Sequence, residues 1–136
     1  MKKNTFLFIA ISLLSVSSFV SAADNTLLLE VDVDEASFDA VVAASGAVSF
    51  NVVGDFDGGG TFRCWGWIDT DDAGSVSQVF NIPGRGMIMT QGIEGGLLAV
   101  TGGTGDFSNL RGDALQLFTG NGFDFTIEFE VKGAGF

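Results

Sequence analysis

The chain has 136 residues, with 17 acidic side chains against 6 basic ones, no histidine and one cysteine. A net charge of −11 repels phosphate backbones and anionic lipid, which argues against nucleic acid as a partner. Without histidine there is no Ser–His or Cys–His nucleophile pair and none of the common zinc sites, and a lone cysteine closes no intrachain disulfide.

Residues 1–22 read as an export signal. Lys2 and Lys3 precede an apolar run from Phe6 to Leu14, and Val20-Ser21-Ala22 supplies a small-residue cleavage site. The run is short for a membrane span and is diluted by Ser12, Ser15, Ser17 and Ser18. The protein is therefore expected to be secreted or periplasmic and not membrane-integral. Residues 23–136 form one expected domain, in which Arg63, Arg85, Arg111 and Lys132 face all 17 acids, a charge of −13. With no disulfide, such a domain stands on its apolar core, a bound partner or oligomerisation.

In chain order, strands are expected at 26–33, 47–53, 61–68, 75–82, 86–91, 97–101, 113–119 and 123–132. Residues 36–44 fit either a helical turn or an edge strand. Links such as Gly58-Gly59-Gly60, Pro83-Gly84 and Gly95-Gly96 carry turn residues between the apolar runs. The last strand is the clearest: Phe123, Phe125, Ile127, Phe129 and Val131 alternate with Asp124, Thr126, Glu128, Glu130 and Lys132. Asn121-Gly122 before it is a favoured two-residue hairpin turn. The expected fold is all-β, an eight-stranded antiparallel β-barrel, with a sandwich as the structural rival.

The alternation also sorts candidate residues by face. Leu27, Leu29, Val31 and Val33 share one face of the first strand; Leu28, Glu30 and Asp32 share the other. Phe62 and Cys64 lie on one face of the strand 61–68, and Arg63, Trp65 and Trp67 on the other. The two tryptophans suit either an exposed patch for a partner or carbohydrate, or the core. Met87 and Met89 share a face with Gln91, where they line an apolar pocket or fill the core.

Several motifs fail. Arg111-Gly112-Asp113 falls at a strand start. Asp69, Asp71 and Gly74 resemble the opening of a calcium loop, but Phe80 stands where a bidentate Glu is needed. Gly102 to Gly105 lacks the Lys-Ser/Thr of a phosphate loop. No cofactor and no metal is expected, although Asp55-Asp57 and Asp69-Asp72 offer oxygen ligands.

Three blocks carry a family resemblance. They are Gly60-Thr61-Phe62-Arg63-Cys64, then Phe80 with Gly86-Met87-Ile88-Met89-Thr90-Gln91-Gly92, then Leu98 to Gly112 with its Gly102-Gly103-Thr104-Gly105 turn, Phe107 and Arg111-Gly112. In this order and spacing the chain resembles the allene oxide cyclase and dirigent barrels, from roughly Gly60 to Leu117. The resemblance implies an eight-stranded barrel, often a homotrimer, with an apolar lumen that holds a small reactive apolar molecule. It also implies an acid on the first strand that polarises an epoxide. The matching positions are Glu30 and Asp32, with Asp32 standing where cyclases carry Asn. That role requires both carboxylates to face the lumen, whereas alternation alone sends the aliphatic face inward and the acids to water. On the strand 61–68, Cys64 and Phe62 are the residues that would touch a ligand in the lumen.

Three functions follow from these observations. The first is a binding or guiding module for a small apolar ligand. The second is an isomerase or cyclase acting on an oxylipin-like epoxide through Glu30. The third is a secreted structural or interaction protein whose barrel is filled solid.

Overall fold

The computed structural model describes residues 26–71 and 74–132; the expected export signal lies outside them. Nine strands follow in order: β1 (Thr26–Val33), β2 (Asp39–Val42), β3 (Val48–Phe56), β4 (Gly60–Ile68), β5 (Gly74–Ile82), β6 (Gly86–Gly92), β7 (Leu97–Gly103), β8 (Arg111–Phe118) and β9 (Phe125–Lys132). Two short 3-10 turns, Glu35–Ser37 and Gly105–Phe107, interrupt them. The expected sandwich rival is absent: β3 to β9 pair in sequence, β9 pairs with β1, and β1 returns to β3. Eight antiparallel strands thus close into a barrel, and β2 adds to β3 as an outer strand. Residues 36–44 contain both expected alternatives, the end of a helical turn and an edge strand.

The closing seam is narrow. Val31, Asp32 and Val33 face Phe56, Asp55 and Gly54. Gly54 has no substitute there, because a Cβ would run into the Asp32 carbonyl oxygen. Asp34 N–H donates to the Val53 carbonyl at 3.0 Å, and Val53 N–H donates to Ser37 Oγ at 2.9 Å, which extends the seam past the last strand pair.

Inward positions are filled at the period the sequence sets. Leu27, Leu29 and Val31 of β1 pack with Phe125, Ile127 and Phe129 of β9 in a single core. Phenylalanine rings form its axis. Phe62 meets Phe80 at 5.2 Å and Phe125 edge-on at 5.0 Å, and Phe80 meets Phe129 edge-on at 5.3 Å. Such ring pairs add to the area they bury, by about 0.5–1.5 kcal/mol each.

The two ends of the barrel differ. At one end the Gly102–Gly105 corner turns into a 3-10 turn that drops Phe107 and Leu110 into the core, both fully buried. Gly105 has φ +60°, and a Cβ there would strike the Arg85 carbonyl oxygen. Arg85 covers this plug, its guanidinium 5.0 Å above the Phe107 ring and its Nε 3.1 Å from Asp106. The opposite end gathers residues 34–47, the β4–β5 and β6–β7 links and the β8–β9 link.

The last of these links departs from expectation. The two-residue turn at Asn121-Gly122 is instead a six-residue loop between Phe118 and Phe125. Thr119 N–H donates to the Asp124 carbonyl at 2.9 Å and Asp124 N–H to the Asn121 carbonyl at 3.1 Å. The Asp124 carboxylate accepts from Val33 N–H at 2.9 Å and from Asn121 Nδ2 at 3.0 Å. Those bonds hold Phe123 and Asp124 out of the strand and set Phe123 at the mouth. Among the described residues no helix is long and apolar enough to cross a membrane.

Candidate functional site

The open end of the barrel holds a pocket of about 320 Å3. Its wall is built from inward side chains that pass the top of the packed core: Val48, Phe50 and Val52 of β3, Phe62 and Ile68 of β4, and Phe125 of β9. Two half-exposed rings frame the entrance. Phe38 stacks between Phe50, at 5.9 Å, and Phe123, at 5.8 Å, with interplanar angles of 24° in both pairs. Both rim phenyls come from irregular segments, one just after the first 3-10 turn and one in the β8–β9 loop.

Only two lining residues are charged, Asp69 and Glu94. Asp69 closes its own turn, accepting from Asp71 N–H at 2.9 Å. Glu94 lies in the glycine-rich β6–β7 link and is partly buried. Burial raises its carboxyl pKa above the ordinary 4.5. The Cys64 thiol is fully enclosed. Burial, and next the negative charge of Glu94, push its pKa up to about 12, against a smaller opposing effect of a hydrogen bond with Gln78.

Beside Cys64 a polar belt crosses the lumen. Gln78 of β5, Thr90 of β6 and Gln116 of β8 are all fully buried. Thr90 Oγ1 donates to Gln78 Oε1 at 3.0 Å, and Gln78 Nε2 donates to Gln116 Oε1 at 3.0 Å. Gly95 N–H also donates to Gln116 Oε1, at 3.3 Å, which ties the Glu94 link to the belt. Gln116 Nε2 has no hydrogen-bond partner among the described residues.

No family model and no curated protein sequence matches this chain.

The residues singled out from the sequence divide between the two sides of the wall. Phe62 and Cys64 face inward, Phe62 in the pocket wall and Cys64 in the buried core. Glu30 and Asp32 face outward, as alternation on the first strand required, and this corrects the lumenal acid pair that the family resemblance implied. Leu27, Leu29 and Val31 take the interior, and the carboxylates keep their water. Both acids line an outer groove of about 750 Å3 together with Asp55, Asp57 and Asp124. There the charge of Asp124 raises the Asp32 pKa above the ordinary 3.8, helped by a hydrogen bond between the two side chains. Among the described residues no group of three or more such side chains is placed to hold a metal ion. Met87 and Met89 are also corrected: they stand on the outer wall, because Ile88 and Thr90 take the inward positions of β6.

Glu94, Phe38 and Phe123 are the pocket positions that sequence reasoning passed over. The available signal for Glu94 was one carboxylate set among Gly92, Gly95 and Gly96, a link too short and flexible to read by alternation. Chemically, the site offers an aromatic slot for a small apolar body and one acid able to hold a proton beside it.

Proposed function

We propose that this protein is an exported barrel of the allene oxide cyclase–dirigent type that binds or guides a small apolar molecule in its mouth pocket. The observation that carries this reading is the aromatic slot itself, with Phe38 and Phe123 at its entrance and Glu94 as the ionisable group inside the wall. Pockets of this size with apolar walls and few polar groups are the usual form of small-molecule sites. The three sequence blocks that resemble the family support the same reading. The packed core below the slot limits the guest to the upper part of the lumen, so the ligand enters one end and stops above the Phe62–Phe80 pair.

A catalytic form of this reading, isomerisation or cyclisation of an oxylipin-like epoxide, runs through Glu94 and not Glu30. Burial shifts Glu94 toward its protonated form, the form that general acid catalysis at an opening epoxide oxygen uses. Turnover that disappears in Glu94→Gln and survives in Glu30→Gln is the result this version expects.

Native mass spectrometry of the purified protein tests the binding reading. The expected spectrum shows a copurified apolar adduct, and a trimer if the oligomer of the resembled family is kept. Exposed Leu97 and Leu115, paired across β7 and β8, and Leu117 beyond them offer an apolar strip for such a contact. A fluorescent fatty-acid probe provides the second measurement, with Val48→Trp narrowing the entrance. Saturable probe binding that weakens at least tenfold in this variant supports the reading. Absence of both adduct and saturable binding removes it.

A further inference from the structure

The barrel's outer wall is divided by charge. Strands β8, β9 and β1 present Asp113, Glu128, Glu130, Glu30 and Asp32 to solvent. The outward strand positions of β4, β5, β6 and β7 carry no carboxylate at all. In a domain of charge −13 (four basic side chains against 17 acids), a random scatter of acids would not leave four adjacent strands bare. On this bare wall stand Trp65 and Trp67, 43% and 48% exposed, two residues apart on β4. Their cross-strand neighbours are Asn51 and Ser49 on one side and Ser77 and Ser75 on the other. Arg63 continues the row; among the described residues its guanidinium has no hydrogen-bond or ion-pair partner. Asn51, Arg63, Trp65 and Val79 line a groove of about 530 Å3.

We propose that this tryptophan wall is a second binding site, separate from the mouth pocket, that takes a polysaccharide chain. Each indole is about half exposed, and an indole ring has an electron-rich face. The C–H-rich face of a pyranose ring carries the complementary partial charge and stacks on it. Hydroxyl and amide neighbours on both sides supply donors and acceptors for sugar hydroxyls at the edges of the ring. Two indoles on one face of one strand, about 7 Å apart along the chain, form a linear platform, which suits a chain of sugars more than a single one. The charge pattern favours the same occupant. Strands β4 to β7 hold the Arg63 guanidinium and no acids, and the carboxylates of Asp39, opposite Asn51, and Asp55, opposite Thr61, stand only at the β2–β3 edge of that wall, so it accepts an uncharged or uronate sugar with less repulsion than the opposite wall would impose. A second copy of this chain fits less well. The flanks of the indoles are serine and asparagine, whereas the buried centre of a stable protein interface is depleted in serine and enriched in apolar side chains.

The chain contains two tryptophans and no tyrosine, so indole emission reports on this wall alone. The experiment is affinity electrophoresis of the purified protein in native gels containing hydroxyethyl cellulose or polygalacturonate, with tryptophan fluorescence titrated in parallel. Retarded mobility and shifted or quenched indole emission in at least one of the two polymers are expected. Trp65→Ala and Trp67→Ala should each weaken retardation about tenfold, the effect of losing one aromatic anchor. The more conservative Trp65→Phe should keep most of it. Arg63→Gln separates the sources: a loss confined to polygalacturonate assigns a uronate chain, and an equal small loss in both assigns neutral sugar. Leu28→Ala on the acidic side, exposed on β1 opposite Glu128, is the control and should change nothing. The proposal is overturned if neither polymer retards the protein, or if the Trp65→Ala/Trp67→Ala double variant is retarded like the parent. Sedimentation showing that the two substitutions dissolve an oligomer while leaving polymer binding intact would likewise assign the wall to a second copy.

Discussion

Gln78 and Gln116 meet across the lumen, Nε2 of the first donating to Oε1 of the second at 3.0 Å, although three strand positions separate β5 from β8 in the wall. This bond fixes the barrel's cross-section at the level of Cys64. It also fixes the Glu94 link from below, because the same Gln116 oxygen accepts from Gly95 N–H. A buried polar belt of this kind is energetically exacting. Each member that loses its partner keeps its desolvation penalty while giving up the compensating bond.

Gln116→Leu should therefore destabilise the fold by about 1–3 kcal/mol, since Gln78 Nε2 and Gly95 N–H both lose their acceptor. Removing the unpartnered Gln116 Nε2 returns part of that loss. Urea denaturation of Gln116→Leu, Gln78→Leu and the double variant gives the coupling. The double variant should be less destabilised than the sum of the two singles; strict additivity would mean that the belt does not act as a unit.

Glu94 makes stability depend on pH in a defined direction, and the proposed apolar binding in the mouth pocket should follow it. Burial raises its folded-state pKa above 4.5, so between that value and the raised one the native state holds more protons than the unfolded chain. Stability contributed by this group falls as pH rises through that window, and a fixed penalty stays above it. Glu94→Gln should be more stable than the parent at pH 7, with the difference vanishing below pH 4.5. Apolar probe affinity should rise in the parent as the pH is lowered through the same window and stay flat in Glu94→Gln. Asp69 at the rim and the Cys64 thiol are the other ionisable groups of the pocket region. The flat profile of the variant is what separates Glu94 from Asp69.

Alternation made the barrel wall legible because it depends only on neighbours in the chain. Phe125, Ile127 and Phe129 face inward as their spacing requires, and Leu27, Leu29 and Val31 do the same on β1. Closure was legible only as a preference, since the β1–β3 seam rests on three residue pairs and a glycine at Gly54 rather than on any periodic signal. The β6 strand defeated the reading of faces. Met87 and Met89 are more apolar than Thr90, yet the inward register is set by Ile88, and Thr90 is accommodated by its bond to Gln78. The pocket was the least legible feature. Phe38, Glu94 and Phe123 come from three separate links, and only the folded barrel brings them to one end.

On the outer wall, Asp32 carries a penalty that a single substitution removes. The charge of Asp124 raises its pKa above 3.8, with a hydrogen bond to Asp124 and the charge of Asp55 adding in the same direction. Above the raised value the repulsion is fully present, and it fades as the pH falls toward 3.8 and the native carboxyl takes up its proton. Asp32→Asn should raise the melting temperature at pH 7 and lose that advantage at pH 3.5 or below, as calorimetry at the two pH values would show. A variant less stable than the parent at pH 7 would mean that Asp32 accepts a bond that matters more than its repulsion.

Cys64 gives a test of the packed core beneath the pocket. With its pKa at about 12 instead of the ordinary 9.0, the native thiol has about a thousandfold smaller thiolate fraction at pH 8 than an unperturbed one. A thiol reagent at pH 8 should label the native protein slowly and the urea-unfolded protein at once. Because the thiol is fully enclosed, a reagent reaches it only when the barrel opens, so Glu94→Gln, which stabilises the fold at this pH, should slow native labelling. The slowing should match the gain in stability measured by urea, since the variant opens less often. Faster labelling in Glu94→Gln would instead mean that the reagent reaches the closed core and reads the thiol pKa that the charge of Glu94 helps to raise.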